Sequence, residues 1–477
     1  MKKYHDEELG QPRALVHVDG CSCGTCGKSQ SVDPRLQQMM PMNPDIADGM
    51  MDPNLALNYD PLFSGALGTG VNRRDLLKMA GVAAMGGMAG MMSSTSAMAQ
   101  QKKADGKKFT KPFDPVLKIG YIPITDAATL LVAHEMGFFK AEGIESEPPT
   151  LIRGWSPLVE AFSSQRFNLT HMLIPVPVYM RYNNKFPVKI TAWNHTNGSG
   201  MIVSKKANIK TVKDLGGKQF AVPYWYSIHN IISQKMMRDA GLTPVIRPQD
   251  AKLAPNEVNL LVLNPPDMPP ALAAGQIHGY CVAEPFNALG ELKADGEMLR
   301  FTGDVWKGHP CCVVVMHEDD AMDPARAQWA QGIHNAIVKA QLYLGANRKA
   351  MAQMLSKDGK KYLPFPAEVV ERALMFYDVA DYSQPQAIKH PEWEQSRINF
   401  QGWPYPSATK QVVTEMKTTL VGGELDFLKK LTPDFVAKDL VQYTYIKNAL
   451  DANPKWKWDL SVPQKGNPFE RKETIAL

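Results

Sequence analysis

The chain has 477 residues, of which 44% are hydrophobic and 21% are charged, and its formal net charge is +5. This length leaves room for two or three domains, and the composition is that of an ordinary globular protein. The sequence has no long basic run and no arginine-rich stripe, so a nucleic-acid partner is not expected. Its mild basic excess is compatible with an anionic ligand.

Residues 71–99 predict a twin-arginine export signal. Arg73 and Arg74 precede a Gly-, Ala- and Met-rich apolar stretch, which is shorter than the ~20 residues that a membrane span needs. The stretch ends in Ala-Met-Ala at 97–99, a small-x-small cleavage site. We therefore expect export by the twin-arginine machinery, cleavage after Ala99 and a periplasmic location.

The leader, residues 1–70, is predicted to be disordered because much of it is rich in Pro, Asp, Asn, Met and Gly. It carries a cluster of three cysteines, Cys21, Cys23 and Cys26. Thiolates at this density could bind zinc or another soft metal, with His17 as the fourth ligand. No second cysteine pair follows, so an unliganded, reactive tail is the alternative that we favour.

Short apolar strands alternate with helices after a Lys-rich linker at 100–114. This alternation predicts an α/β protein with parallel sheets that have helices on both faces. From Ala325 onward the pattern is mostly helical. The predicted strands are Leu117–Ile124, Leu169–Ile174, Val188–Trp193, Met201–Val203, Gln219–Pro223, Val258–Leu263, His278–Ala283 and Cys311–Met316.

The three cysteines outside the leader give no obvious disulfide framework. Cys311 and Cys312 are adjacent, and a bond between neighbouring cysteines is geometrically strained. We predict that both are buried thiols.

Ligands of open α/β sheets bind beyond the carboxyl ends of the strands, where helix N-termini favour anions. At the first such junction, Asp126 is expected to cap the next helix, and Thr125 could donate to a ligand. At the second, Ser156 is expected to cap a helix that starts at Pro157. Trp155 would then lie on the turn, either buried between lobes or forming one wall of a pocket.

Two further junctions carry candidate ligand residues. Ser227 is expected to cap the helix Ile228–Ala240, which places His229 and Asn230 in its first turn. Three aromatic residues precede this histidine, and they favour a ligand role over an ordinary buried histidine. Glu284 ends a strand just before a proline, where it could cap a helix or face the cleft and bind a cation or hydrogen-bond donor.

Several segments together resemble the nitrate/bicarbonate-type solute-binding proteins, within the wider nitrate, sulfonate and taurine receptor family. The resemblance covers roughly residues 115–450, and Phe400–Lys417 resembles the C-terminal extension of that subgroup. The other matching segments are Gly120–Ile144, Arg153–Trp155, Asn197–Val203, His229-Asn230, Gly279–Ala288 and His309–Met316.

The resemblance implies a two-lobe, hinged periplasmic binding protein fold of type II with a helical C-terminal extension. The first lobe would comprise residues 115–204 and, together with the extension, residues 306–477. The second lobe would comprise residues 205–305. The chain would thus cross between the lobes twice.

The resemblance also implies that Trp155, His229 and Glu284 line the ligand. An acidic residue at Glu284 departs from the lysine expected of the nitrate type. It implies instead the bicarbonate type, in which calcium can bridge carboxylate and ligand, while the aromatic residues around His229 favour an organic ligand. The remaining candidate ligand residues are Thr125, Asn230 and Ser199.

The function implied is the non-enzymatic, monomeric receptor of an ABC importer. It would deliver a small anion, or a small organic ligand, to a permease and an ATPase at the inner membrane. Two alternatives share the fold: a cytoplasmic-type ligand sensor, and a pyrimidine or thiamine-precursor binding or biosynthetic protein. The export signal argues against both.

Overall fold

Two mixed β-sheets with flanking helices organise the chain, in a computed structural model that describes residues 109–477. We call each sheet with its helices a lobe. Some predictions fall on residues that the structure does not describe. They are those for Cys21, Cys23 and Cys26, for the export signal at 71–99 and for most of the linker at 100–114.

The first sheet has the strand order β2-β1-β3-β12-β4. Strand β1 pairs in parallel with β2 and β3, whereas β12 runs antiparallel between β3 and β4. Strand β12 is fully buried between these two neighbours. The strands are β1 (Ile119–Tyr121), β2 (Thr150–Leu151), β3 (Leu169–Leu173), β4 (Val188–Trp193) and β12 (Cys312–His317).

The second sheet has the order β11-β6-β10-β7-β9-β8. Strands β10, β7, β9 and β8 are mutually parallel, whereas β6 runs antiparallel to both of its neighbours. The strands are β6 (Ser199–Ser204), β7 (Lys218–Val222), β8 (Thr243–Val245), β9 (Glu257–Val262), β10 (Gly279–Ala283) and β11 (Gly296–Phe301).

The prediction of purely parallel sheets is wrong at two strands, and both follow a crossing between the sheets. Strand β6 enters the second sheet from β4, and β12 enters the first sheet from β11. Neither arrives by the strand-helix-strand connection that enforces parallel pairing. The first crossing also lies before Ser199, earlier than the expected boundary at 204, because β6 pairs within the second sheet.

A two-stranded ribbon ties the first crossing to the C-terminal region. Strand β5 (Thr196–Asn197) pairs antiparallel with β13 (Ile398–Asn399). Gly198 follows with φ +76°, and a Cβ there would approach the Ile398 side chain to 2.9 Å. Glycine is required at this point because the backbone is left-handed and tightly packed.

The helices alternate with the strands as predicted, and they predominate after Ala325. Ser227 caps the helix at Ile228 as predicted, by accepting a hydrogen bond from the Asn230 N–H at 3.0 Å. The helices that precede the extension are α1 (Ala128–Glu135), α2 (Phe138–Ala141), α3 (Trp155–Ser163), α4 (Pro175–Tyr182), α5 (Ile228–Asp239), α6 (Met268–Ala273), α7 (Phe286–Lys293), α8 (Glu318–Met322), α9 (Ala327–Ala346), α10 (Arg348–Leu355) and α11 (Ala367–Met375).

The C-terminal extension contacts both lobes. On the first lobe, Asp439 accepts hydrogen bonds from Arg181 and Tyr182 of α4. On the second lobe, the Leu420 carbonyl accepts from Gln234 of α5 at 2.7 Å. The extension therefore bridges the two lobes. Its helices are α12 (Pro406–Met416), α13 (Asp426–Lys429), α14 (Pro433–Asp439) and α15 (Thr444–Asp451).

Within residues 109–477, the helices are too short or too polar to cross a bilayer.

Replacing Asp439 by Asn should destabilise the protein in a pH-dependent way. Partial burial alone would raise the pKa of Asp439, but Arg181 and Tyr182 outweigh it and lower the pKa to about 2. The stabilisation is therefore complete above the ordinary value of 3.8 and is lost as the pH falls toward 2. We expect a loss of about 1 kcal/mol at pH 6, after allowing for solvent screening, and no loss near pH 2.

Urea unfolding between pH 2 and pH 7 measures this difference. The matched control is Asp451→Asn, because Asp451 forms a half-exposed pair with Lys447 four residues earlier. That change should cost no more than about 0.5 kcal/mol. An Asp439→Asn effect that does not vary with pH would contradict the account.

Candidate functional site

The strand ends of the two lobes meet through their backbones. Thr125, just after β1, donates to the Glu284 carbonyl through its N–H at 2.9 Å and through its hydroxyl at 3.1 Å. The Glu284 N–H in turn donates to the Gly198 carbonyl at 2.9 Å. The hydroxyl of Thr125 is therefore used in the contact between the lobes, and its predicted role as a ligand donor would require it to leave this contact.

Asp126 does not cap the helix that follows it, contrary to expectation. The N-cap position of α1 is Ala127, with no side-chain cap. Asp126 is buried, and its Oδ2 lies 2.9 Å from His195 Nε2. Burial raises the pKa of Asp126 to about 6. Burial lowers the pKa of His195, but the Asp126 carboxylate outweighs it and raises that pKa to about 10. Electrostatic attraction and a hydrogen bond therefore hold the two buried groups together.

Cys311 and Cys312 are both buried, as predicted, and both face Asp126. Asp126 Oδ2 lies 3.6 Å from the Cys311 sulfur and 3.2 Å from the Cys312 sulfur. The N–H of Cys312 donates to His195 Nε2 at 3.2 Å. One ligand atom from each of these four residues lies within 4.8 Å of the others. The sequence analysis did not bring these four residues together.

His229 and Ser199 meet this cluster from the second lobe. His229 Nε2 lies 2.8 Å from the Ser199 hydroxyl and 3.9 Å from the Cys311 sulfur. Ser199 Oγ lies 3.6 Å from the same sulfur. Both side chains are buried. These two predicted site residues therefore come together at the boundary between the lobes.

Trp155 is buried on the first-lobe side. Helix α3 begins at Trp155 itself and not at Pro157, and Ser156 does not cap it. Gly154 precedes the helix with φ 142°, a conformation that favours glycine. The indole Nε1–H has no hydrogen-bond partner among the described residues. The sequence left the orientation of Trp155 open, and the structure places its ring inside the lobe boundary region beside His171.

His171 is a candidate that the sequence analysis missed. Its ring contacts Trp155 edge-on, with the ring centroids 5.8 Å apart. His171 Nε2 accepts the Ile122 N–H at 3.2 Å, so the proton resides on Nδ1, which has no partner in the described part of the chain. Burial lowers the pKa of His171 to about 3, so the ring is neutral. The feature of the sequence that could have identified this candidate is the presence of a histidine within the apolar run Leu169–Ile174.

Glu284 is neutralised by an arginine from the C-terminal region. Its Oε1 accepts from Arg397 Nε at 2.6 Å, and its Oε2 accepts from the Ala288 N–H at 3.1 Å. Arg397 also pairs with Glu291 at 2.8 Å. Burial raises the pKa of Glu284, although Arg397 opposes this. Both carboxylate oxygens are thus engaged, and a calcium ion at Glu284 would have to compete with Arg397.

Asn230 holds the C-terminal extension against the second lobe. Its Nδ2 donates to the carbonyls of Trp225 at 2.9 Å and Leu420 at 3.1 Å. Its Oδ1 accepts from Gln234 at 2.7 Å. All of its amide atoms are therefore used in contacts within the protein, and the ligand role of Asn230 stays a prediction.

A separate surface pocket of about 410 Å³ lies against β11 and α11. Its charged lining residues include Glu291 and Arg372, which pair with each other at 3.1 Å. Because these charges already satisfy one another, the pocket is a weaker candidate for an ionic ligand than the lobe boundary.

The sequence of this chain is similar to one protein family and to several named proteins. Residues 110–356 match the model of the NMT1-like family. The nitrate/nitrite binding protein NrtA of Nostoc sp. is 28% identical over 294 residues, which are 57% of this chain and 64% of that protein. The nitrate import ATP-binding protein NrtC of Synechocystis sp. is 30% identical over 237 residues, which are 47% of this chain and 34% of that protein. The matched region thus spans less than two thirds of either relative.

The fold of this chain is similar to those of two solved structures. The periplasmic nitrate-binding protein NrtA from Synechocystis superimposes with a TM-score of 0.59 at 18% identity, covering 76% of this chain and 94% of that one. A zinc-bound ligand-binding component of an ABC-type import system from Staphylococcus aureus gives 0.53 at 21% identity, covering 70% and 99%. The predicted two-lobe periplasmic binding protein fold is thereby confirmed.

Replacing Arg397 by Met should be strongly destabilising, because it leaves the buried carboxylate of Glu284 without its counter-charge. We expect a loss of about 3–5 kcal/mol in the free energy of unfolding. Adding Glu284→Gln should recover at least about 1 kcal/mol of that loss, since the two side chains contact each other directly. Urea unfolding of the two single variants and the double variant measures the coupling.

The control for this cycle is Lys210→Met, which breaks a more exposed pair with Glu297. That change should cost less than about 1 kcal/mol. Additive losses in the Arg397 and Glu284 variants would show that the two side chains do not depend on each other.

Proposed function

The chain belongs to the NMT1-like family, and we propose that it is the solute-binding receptor of an ABC importer, capturing a small oxyanion between its two lobes. The observation that carries the proposal is a pair of buried N–H donors at the lobe boundary. Trp155 Nε1–H and His171 Nδ1–H both lack an acceptor among the described residues. Buried donors usually have a partner, so a ligand that offers acceptor oxygens suits this place.

Neither His171 nor Glu284 opposes an anion at these two donors. His171 is neutral and donates without bringing an opposing charge. Glu284 is already paired with Arg397, so its carboxylate does not repel an incoming anion. A nitrate- or bicarbonate-like ligand would accept hydrogen bonds from the first lobe, and His229 and Ser199 would close over it from the second. Closure would then be a shift of population toward the form that the ligand stabilises.

The role in transport rests on the relatives. Proteins named as a nitrate/nitrite binding protein and as ATP-binding components of nitrate import and bicarbonate transport all match this chain. We therefore propose a membrane permease and an ATPase as partners, and a binding role without catalysis. A small organic ligand is the second candidate, because Tyr224, Trp225 and Tyr226 precede the His229 helix.

The periplasmic location rests on the export motif. Arg73 and Arg74, the apolar stretch and the cleavage site at Ala99 occur in the order that a twin-arginine signal requires. Export by that machinery, removal of the leader with its cysteine cluster, and a monomeric mature receptor are parts of this proposal.

Replacing Trp155 by Phe should weaken oxyanion binding by about 10–100-fold, because it removes one hydrogen bond to a charged ligand while keeping an aromatic ring. Isothermal titration calorimetry of the full chain with nitrate, bicarbonate, taurine and a pyrimidine measures the affinities. Bicarbonate is titrated with calcium and with a chelator, and we expect equal affinities because the Glu284 oxygens are engaged.

The matched control is Trp458→Phe, because Trp458 is exposed and remote from the boundary. This variant should bind as the unmodified chain does. Equal oxyanion affinity in the Trp155→Phe variant would remove Trp155 from the site. Binding of the pyrimidine or taurine alone would overturn the oxyanion assignment in favour of the organic ligand.

A further inference from the structure

We propose that Asp126, His195, Cys311 and Cys312 bind one thiophilic transition-metal ion of the zinc class, at the point where the chain crosses between the lobes. The inference goes beyond the proposed transport function. None of the four metal ligands is a hydrogen-bond donor assigned to the oxyanion, and the proposal is independent of which solute the protein carries.

The four side chains supply the ligand atoms that zinc prefers in proteins, namely two thiolates, an imidazole nitrogen and a carboxylate oxygen. Zinc–ligand distances of about 2.0–2.3 Å put the ligand atoms of a tetrahedral site ~3.3–3.8 Å apart. Asp126 Oδ2 lies 3.2 and 3.6 Å from the two sulfur atoms, which is close to this spacing. Its 2.9 Å contact with His195 Nε2 is a hydrogen bond that would lengthen slightly as the ion enters.

The backbone explains why adjacent cysteines can share one ion. In a regular strand, successive side chains point to opposite faces of the sheet. Cys311 lies just before β12 and Cys312 is its first residue, so the pair falls where the regular alternation begins. Both sulfur atoms consequently approach the same carboxylate oxygen. The other two ligands are also held in place by the fold. Asp126 follows β1, His195 follows β4, and all four side chains are buried.

The surroundings of the cluster also favour a cation. Asp126 Oδ1 is buried and has no hydrogen-bond partner within residues 109–477. The four converging atoms all carry lone pairs, and a metal ion would replace the protons that now separate them. His229, 3.9 Å from the Cys311 sulfur, could donate a hydrogen bond to that thiolate once the metal is bound. Thiolates select zinc, cobalt and similar ions over calcium and magnesium, which prefer oxygen ligands.

The test is a titration of the full chain, reduced and stripped of metal, with Co²⁺ followed by Zn²⁺. Cys21, Cys23 and Cys26 are first replaced by Ser, because leader thiolates would also bind these ions. We expect one Co²⁺ per chain, with sulfur-to-cobalt charge-transfer absorption and the intense visible bands of tetrahedral cobalt. Zn²⁺ should then abolish this spectrum, and Ca²⁺ should leave it unchanged.

Substitutions of the proposed ligands test which residues bind the metal ion. In that background, Cys311→Ser with Cys312→Ser should weaken Co²⁺ binding at least 100-fold and remove the charge-transfer band. Cys281→Ser is the matched control, because Cys281 is buried but outside the cluster, and it should keep the full spectrum. Asp126→Asn provides a second test if the double variant does not fold: it should keep the charge-transfer band while weakening Co²⁺ binding at least 10-fold.

Three outcomes would overturn the proposal: no stoichiometric Co²⁺ binding in the leader-substituted chain, unchanged binding in the double cysteine variant, or a Cys311–Cys312 disulfide that persists under reductant. The Trp155→Phe variant separates this proposal from the transport function. It should bind Co²⁺ like the parent chain while losing oxyanion affinity, so each proposal can fail without the other.

Discussion

The contact between Asp126 and His195 is the interaction on which the centre of this molecule depends. A carboxylate and an imidazole lie 2.9 Å apart, and neither is exposed to solvent. Removing either partner would leave a buried polar group without its hydrogen-bond partner, which costs about 1–3 kcal/mol. The contact also joins the end of β1 to the first crossing between the lobes. The position of the second crossing follows from it, because the thiols of Cys311 and Cys312 both pack against the same carboxylate.

The C-terminal extension places a second constraint on the lobes. It supplies Arg397, which neutralises the buried Glu284 of the second lobe, and Asp439, which accepts from Arg181 of the first. Opening the lobes must therefore bend the extension or break some of these contacts. Under the proposed transport role, the lobes would close on a ligand only to the extent that the extension allows, and the favoured state would depend on the balance between these ion pairs and the ligand contacts.

Local patterns in the sequence were sufficient to predict most of the fold. Apolar runs placed Val188–Trp193 with its observed ends, and the cap at Ser227 fixed the start of α5. The family resemblance supplied the two-lobe architecture. The same patterns brought His229 and Trp155 to the lobe boundary, since both stand at junctions between strands and helices.

Long-range partners could not be predicted in this way. The sequence left open whether Glu284 caps a helix or faces the cleft to bind a cation or hydrogen-bond donor, because its counter-charge, Arg397, lies 113 residues further along the chain. Asp126 looked like a helix cap because that is the commonest local role of an aspartate before a helix. Its pairing with His195 and two thiols depends on both crossings, which no short window of sequence contains. His171 was not identified because the sequence of an apolar strand does not show whether a histidine nitrogen within it lacks a hydrogen-bond partner.

The most direct test of the account is hydrogen–deuterium exchange at the Thr125 amide, whose hydrogen bond to the Glu284 carbonyl joins the two lobes. The exchange rate is compared without solute and with saturating nitrate or bicarbonate, and an amide inside β12 serves as the internal reference. If either anion closes the lobes at this boundary, exchange at Thr125 slows while the reference stays constant. Unchanged exchange at Thr125 with both anions would contradict the claim that the solute is held between the lobes.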